Sequence, residues 1–508
     1  MPKKVSVIGA GPGGLAAAMI LAGRGYQVDV FEKQDYVGGR NSAIKLGDYT
    51  FDMGPTFLSM IHIAEEIFEM AGKNLHDYME LTELKEMYEL IFNGESLHMT
   101  RNREEMIQRI ENFSPEDGEG YERFMKETRR KMDKLTPILQ SRMDRFHHYL
   151  SPKVLRALPD LTLNKSLYQV LTSYFKDERL KLAFTFQSKY LGMSPWECPG
   201  AFSILSYMEH EYGIFHPKGG VNQLSEGMAK AVRELGGRIH LNAPVKKLLL
   251  KGKDVQGLLL ENGEKVISDE VVVNGDFAYV MSNLVDNGTL KKYASKKLEK
   301  KKYSCSTFMI YLGVDKKFDV PHHTILFSDD YQKNVEEITK TLKMPEDPSI
   351  YIQNASVTDS TLAPEGKSAL YILAPVPNNF SNIDWAEHKD KFKELVLNIV
   401  EEKTSFKGLR DHIEVEKVIS PADWEKDILV YKGATFNLGH QLSQMMVLRP
   451  HNQFEELNHC WLVGGGTHPG SGLPTILESA RITANAIGGK PVKQRVSKHN
   501  DKNLENAL

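Results

Sequence analysis

Short apolar runs closed by glycine alternate along this chain with longer stretches of mixed apolar and charged residues, and their order predicts where sheet and helix fall. Residues 4–9 (KVSVIG) hold Val5, Val7 and Ile8 in a compact β-rich run, which predicts a buried strand. Helix is expected from about Gly13 to Ala22, and YQVDVFEK (26–33) predicts a second strand. Together they make a strand-helix-strand unit of about thirty residues, the length a parallel crossover needs. From 60 to about 210 the pattern turns mainly helical, with charged faces set against Met, Leu, Phe and Tyr. GGVNQLSEGMAKAVRELGG (219–237) reads as a helix closed by Gly236 and Gly237. The runs RIHL, VKKLLL, VQGLLL and EVVVNG that follow read as strands, with Asn262-Gly263 as a hairpin turn. Residues 285–450 mix helices and strands, with proline-containing loops near 344–348 and 374–378, and CWLVGGGTHPGSGLPTILESARITANAI (460–487) returns to strand, glycine-rich turn and helix. The α/β material thus comes in three separated pieces with two inserted blocks between them. The polar tail from about 489 is expected to be flexible.

Length and charge narrow the class. At 508 residues the chain exceeds one ordinary core, so two or three domains are expected, with room to enclose a large ligand. The balance of 64 basic against 67 acidic residues gives no reason to expect nucleic acid. Cys198, Cys305 and Cys460 lie far apart, so neither a disulfide framework nor a zinc site is expected, and a reducing cytoplasm fits. The histidines include His147-His148 and His322-His323 at no metal-ligand spacing, and no metal is expected. The only candidate for a leader or anchor is the opening stretch, where MPKK precedes VSVIGA; Pro12, Gly13 and Gly14 interrupt it and Arg24 closes it too early.

The same stretch carries the first chemical motif. Gly9, Gly11 and Gly14 form GxGxxG between the predicted strand and helix. In such a unit the first glycine permits the turn, the second lets backbone approach a pyrophosphate, and the third allows close helix packing. The helix N-terminus adds N–H donors and the positive end of a dipole. Glu32 ends the second strand 18 residues after Gly14, close to the spacing of a carboxylate that accepts ribose hydroxyl bonds and repels a 2′-phosphate. NAD and FAD both satisfy this pattern.

The residues that follow separate the two. VGGR (37–40) comes soon after Glu32, and FDMGPT (51–56) brings another glycine-proline turn. This order resembles the amine-oxidase and phytoene-desaturase superfamily of flavoproteins. The resemblance implies FAD, with Gly13 in the phosphate loop, Lys33 beside Glu32, Gly39 and Arg40 near the pyrophosphate and ribityl chain, Gly54, Pro55 and Thr56 near the flavin ring, and Val245 on the adenine side. The distant GGGTHPGSGLPTILESA is similar to the C-terminal signature of carotenoid desaturases of the phytoene and dehydrosqualene type, and adds Gly465, Gly466, Gly472, Leu473 and Pro474 to the cofactor set. Leu473 and Pro474 open a helix whose N-terminus, aimed at the flavin, would stabilise negative charge on the reduced ring. PKGGVNQLSEGMAKAV, KKYSCSTFMIYLGV, DPSIYI and LAPEGKSALYILAPVP also resemble segments of dehydrosqualene desaturases. Ser471 and Thr475 stand where many members have Ala and Gly, and the oxidase branch tends toward N-P-G-G-G where this chain has His468-Pro469-Gly470-Ser471-Gly472.

The expected fold class is therefore α/β: a Rossmann-type FAD domain assembled from residues 1–75, 216–285 and 452–490, a helical, membrane-facing region at 76–215, a substrate-binding α+β domain at 286–451, and a flexible tail at 491–508. The reaction the resemblance implies desaturates an acyclic carotenoid precursor, a thirty-carbon dehydrosqualene-type polyene hydrocarbon: a flavin takes the hydride and the allylic system spreads charge, so a strong protein base is not required. A thirty- or forty-carbon chain gains roughly 0.8 kcal/mol per buried methylene, so it resides in a bilayer and must reach the enzyme from there. Residues 184–217, rich in aromatics and Met, are the candidate tunnel lining, and the basic amphipathic stretch 123–150 is the candidate mouth on a membrane surface. The lysine-rich run 290–303 reads first as a solvated face. His468 is read either as a catalytic group at the ring or as a histidine fixing a glycine loop. A forty-carbon phytoene desaturase, a carotenoid oxidase and a non-catalytic prenyl-binding escort protein remain as alternatives, and the oligomeric state is open.

Overall fold

Short, largely apolar runs from distant parts of the chain need burial on both faces, and a parallel sheet covered by helices supplies it, with the polar strand Arg238–His240 at its open edge. In the computed structural model, which describes residues 2–488 apart from the side chain of Tyr190, they form one parallel sheet. Its spatial order is Arg238–His240, Gln27–Phe31, Lys4–Ile8, Glu270–Val273 and Cys460–Leu462. Val7 pairs with Val30 on one side and Val272 on the other, and Val272 with Trp461. The helix Pro12–Gly23 is apolar all round and buried from Gly13 to Ala22. It packs between the helices Gln223–Glu234 and Leu473–Gly488, which shield it from solvent. The expected tail at 491–508 lies outside the described residues.

A second sheet of seven strands stands beside the first, in the order Ile413–Ile419, Ser306–Val314, Ser368–Val376, Ile350–Asn354, His323–Leu326, Glu86–Phe92 and Glu95–Thr100. All neighbours are antiparallel except His323–Leu326 with Glu86–Phe92. Side chains alternate between its faces. Phe308, Ile310 and Leu312 pack with Trp385, Phe392 and Val396 of the helix Trp385–Lys403. Thr307, Met309, Tyr351, Tyr371 and Leu373 face the interior cavity.

Two segments differ from the periodicity reading. The block from 60 to 210 is not helical throughout: Glu86–Phe92 and Glu95–Thr100 form a hairpin on the edge of the second sheet, turned by Asn93 and Gly94, both at positive φ. Pro375 lies in the strand Ser368–Val376 rather than in a loop. Pairing with Ile350–Asn354 ends at Leu373, so Pro375 is paired on one side only, opposite Thr307 of Ser306–Val314.

Candidate functional site

One cavity of about 890 Å³ runs between the two sheets. Its narrow end is bounded by Glu32, Lys33, Pro244 and Val245, and it passes Gly9, Gly11 and Gly13 at the start of the first helix. Arg40, Gly54, Pro55 and Thr56 border its middle from one side, and Gly465, Gly466, His468, Gly472, Leu473 and Pro474 from another. Gly39 lines it as well. Every residue singled out from the sequence reaches this wall except Gly14, which stands behind it.

Backbone geometry explains why the glycines are glycines. Gly9 adopts φ +91°, a conformation side chains resist. A Cβ on Gly14 would stand 2.2 Å from the Gly9 carbonyl oxygen, and one on Gly13 would stand 2.7 Å from Asn274 Oδ1. Asn274, at the end of the strand Glu270–Val273, donates to the Gly9 carbonyl (3.2 Å) and wedges the loop open. Glu32 accepts from the backbone N–H of Ala10 (2.8 Å) and of Gln34 (3.0 Å), which locks its carboxylate at the narrow end.

Arg40 is held by backbone and side chains from both inserted and returning segments. Its Nη1 donates to the Thr435 carbonyl (2.6 Å). With the Asn437 amide turned so that its nitrogen donates to Asp276 Oδ2 (2.8 Å), its oxygen accepts from Arg40 Nη2 (3.0 Å). Burial pulls the guanidinium's pKa down and the Asp276 carboxyl's up, while their mutual attraction opposes both shifts. The 53–56 turn is fixed by three tyrosines of the large sheet. Tyr311 donates to the Met53 carbonyl (2.7 Å), Tyr371 to the Gly54 carbonyl (2.9 Å), and the Tyr351 hydroxyl pairs with Thr56 Oγ1 (2.5 Å).

The returning glycine string is pinned from behind. Arg449, fully buried, donates through Nη2 to the Gly465 carbonyl (2.6 Å) and through Nε to the Thr467 carbonyl (3.0 Å). No carboxylate pairs with it among the described residues, and burial lowers its pKa to about 10. His468 is tied on three sides: its N–H donates to the Pro450 carbonyl (3.2 Å), its carbonyl accepts from Asn452 Nδ2 (3.0 Å), and its Nε2 lies 3.1 Å from the Ser141 carbonyl. Burial lowers its pKa to about 4, so the ring is neutral and Nε2–H donates. His440 Nε2 accepts from the Ser471 N–H (3.1 Å). Asn274, Asp276, Asn437 and Arg449 are the site residues that no local motif marks.

Beyond Thr56 and Ser471 the cavity lining becomes an apolar chamber. Phe186, Leu191, Phe202, Leu205 and Met208 line it, all within the 184–217 stretch. Met132, Leu135 and Leu139 continue the wall from the helix Gly118–Leu139, and Tyr149, Val154, Leu161 and Leu163 carry it outward. The apolar stripe of that helix, Tyr121, Phe124, Met125, Met132 and Leu135, faces the core rather than a surface. The exposed apolar side chains come after it: Phe146 is 74% and Leu150 57% exposed, with Leu155, Leu158 and Leu163 following. Among the described residues no helix is long and apolar enough to cross a membrane.

Comparison with known proteins adds the family. The model of the flavin containing amine oxidoreductases matches residues 12–488. A 4,4'-diapophytoene desaturase (4,4'-diapolycopene-forming) from Methylomonas sp is 47% identical, covering 96% of each chain. An all-trans-zeta-carotene desaturase from Myxococcus xanthus is 36% identical over 96% of this chain and 93% of its own. Among solved structures, an oxidoreductase from Methanosarcina mazei superposes with a TM-score of 0.61 at 17% identity, covering 95% of this chain and 99% of the other, a likeness of fold. The chain belongs to the flavin containing amine oxidoreductase family, on its carotenoid desaturase branch, and is an FAD-dependent oxidoreductase.

Proposed function

We propose that this chain desaturates an acyclic carotenoid precursor of the thirty-carbon 4,4'-diapophytoene type, introducing conjugated double bonds. The observation that carries the reading is the cavity that joins an end bordered by the glycine loop and Glu32 to an apolar chamber. The residues present fit FAD. The loop lined by Gly9, Gly11 and Gly13, held tight against Asn274 and the Gly9 carbonyl where Gly13 and Gly14 leave no room for a Cβ, accepts the pyrophosphate at the helix N-terminus, and Glu32 keeps lone pairs for ribose hydroxyls. Lys33, Pro244 and Val245 enclose the adenine end, Gly39 and Arg40 serve the phosphates and ribityl chain, and Gly54, Pro55 and Thr56 border the ring. Gly465, Gly466, Gly472, Leu473 and Pro474 close the opposite side, with the positive end of the last helix directed at the ring's developing negative charge. Bound FAD supplies the hydride acceptor. The chamber contributes exclusion of water and alignment, holding one allylic carbon pair against the ring by contacts spread along the polyene. For His468 the contacts support the loop-fixing role.

The substrate reaches the chamber from a membrane surface in this reading. Phe146, Leu150, Leu155 and Leu158 present an apolar rim next to Leu163 at the outer end of the chamber, among Arg145, Lys153 and Arg156. Such a rim fits anionic bilayer headgroups. Co-expression with a dehydrosqualene-producing synthase tests the proposal: a new visible polyene absorption is expected, from cells that also yield yellow, FAD-releasing protein. Colourless protein, or no new polyene, overturns it. A forty-carbon substrate is the second reading, favoured by the likeness to the zeta-carotene desaturase, and co-expression with a phytoene-producing synthase distinguishes the two.

A further inference from the structure

Glu209 is a buried carboxyl of the apolar chamber wall; Glu478, which also borders the cavity, is held by Gln140 and Arg481. It sits on the helix Ile204–Tyr212, between the chamber residues Leu205 and Met208 and the buried His210, and is 4% exposed. Two neutral donors converge on one of its oxygens: Tyr88 OH and Gln187 Nε2, each 3.0 Å from Oε2. No donor reaches Oε1 among the described residues, and Glu209 borders the chamber, so this oxygen is the open one. An acid kept only for structure would have both oxygens satisfied.

The position matters as much as the chemistry. Glu209 lies near enough to Tyr351 for its charge to raise the phenol's pKa further, and Tyr351 OH is 2.5 Å from Thr56 Oγ1. The carboxyl therefore faces the end of the chamber assigned above to the flavin ring. Three of the groups around it do not compete for a proton. Tyr351 is held neutral far above its ordinary range, and His323, which pairs with it at 2.7 Å, and His210 are held neutral by burial, each with a pKa of about 3. Lys189 also borders the chamber: its ammonium lies 4.4 Å from the centre of the Tyr331 ring, but burial lowers its pKa to about 7, so it titrates in the same range as Glu209 and the Glu209→Gln variant is needed to separate the two.

We propose that Glu209 is the proton acceptor of the desaturation step. The inference rests on the desaturase reading. As a hydride leaves one carbon for the bound FAD, which is the oxidant, the C–H bond of the adjacent carbon breaks. Its electron pair becomes the second bond of the new C=C, and its proton passes to Oε1. The carboxylate thereby becomes a neutral acid, the form that apolar surroundings favour, and it must lose that proton before the next double bond is made. Before transfer, the carboxylate attracts the positive charge that hydride loss develops on the chain.

Flavin reduction by diapophytoene in liposomes, followed without oxygen in a single turnover, tests this. Burial raises the Glu209 pKa to about 7, so the wild-type rate is expected to climb as pH rises through neutrality and the acceptor form fills. Glu209→Gln is expected to lose about 100-fold in rate or more and to show a flat pH profile, with FAD content and unfolding temperature retained. Glu209→Asp, with its carboxyl drawn back by one methylene, keeps the pH dependence at an intermediate rate. Infrared difference spectra of the protein without substrate give a second readout: a carboxyl band titrating near neutrality and absent from Glu209→Gln. Wild-type reduction rates and an unchanged pH profile in Glu209→Gln overturn the proposal, as does the absence of the titrating band. If wild-type protein binds FAD but diapophytoene never reduces it, the desaturase reading falls and this inference with it.

Discussion

Arg449 shows how single residues hold this site together. Its guanidinium occupies a fully buried position and satisfies the carbonyls of Gly465 and Thr467, which otherwise have no donor in the returning loop. Arg449→Met is expected to cost about 3 kcal/mol or more, since hydrogen bonds to a charged group are worth roughly 1.5–3 kcal/mol and two carbonyls lose theirs. Urea unfolding and FAD retention measure both consequences. Arg449→Lys should recover little, because a single ammonium cannot bridge carbonyls spread along a loop. Nothing in the sequence around Arg449 marks it, whereas Gly9, Gly11, Gly14 and Glu32 are legible from spacing alone. The difference is physical. A glycine turn and a strand-end carboxylate answer to local backbone geometry, while Arg449, Asn274 and the tyrosines 311, 351 and 371 come to the site through packing between segments hundreds of residues apart.

At the level of elements, the parallel strands and the glycine-led helices follow from apolar runs and their closing glycines, and the hairpin Glu86–Phe92 and Glu95–Thr100 does not. Its first strand buries Met87, Tyr88, Leu90, Ile91 and Phe92, so alternation is blurred and its apolar content imitates a helix. The Asn93-Gly94 pair was the signal available. The amphipathic stretch 123–150 likewise divides in two: its helical part turns its apolar stripe to the core, and apolar exposure begins at Phe146. The outer rim gives a direct prediction. A double variant, Phe146→Ser with Leu150→Ser, is expected to cosediment less with anionic vesicles and to convert vesicle-borne substrate more slowly, with FAD content unchanged, because both side chains are exposed and pack against no core. Equal sedimentation would place the membrane contact elsewhere.

The whole molecule carries an acid-sensitive core. His210, His322, His323, His440 and His468 are all buried, and burial holds the pKa of each below the ordinary 6.5. Above that pH both folded and unfolded chains carry neutral rings, so these groups do not change stability. As pH falls below 6.5 the unfolded chain takes up protons that the folded one refuses. Each histidine then removes about 1.4 kcal/mol of stability per pH unit until its folded pKa is reached, near 4 for His468. Unfolding midpoints in urea should therefore fall steeply between pH 6.5 and 4, and His468→Gln should make the slope shallower.

The order of strands across the first sheet also sets a timetable. The strand Lys4–Ile8 is made long before the edge strand Cys460–Leu462 and the helix Leu473–Gly488 that seals the first helix. Until then the glycine turn has no partner on that side, and its apolar helix must wait, shielded by other means. FAD capture thus waits on the segment after residue 460, and a stall before it yields a chain that has the apolar lining of 132–208 but lacks Gly465, Gly466, Gly472, Leu473 and Pro474 at the cavity wall.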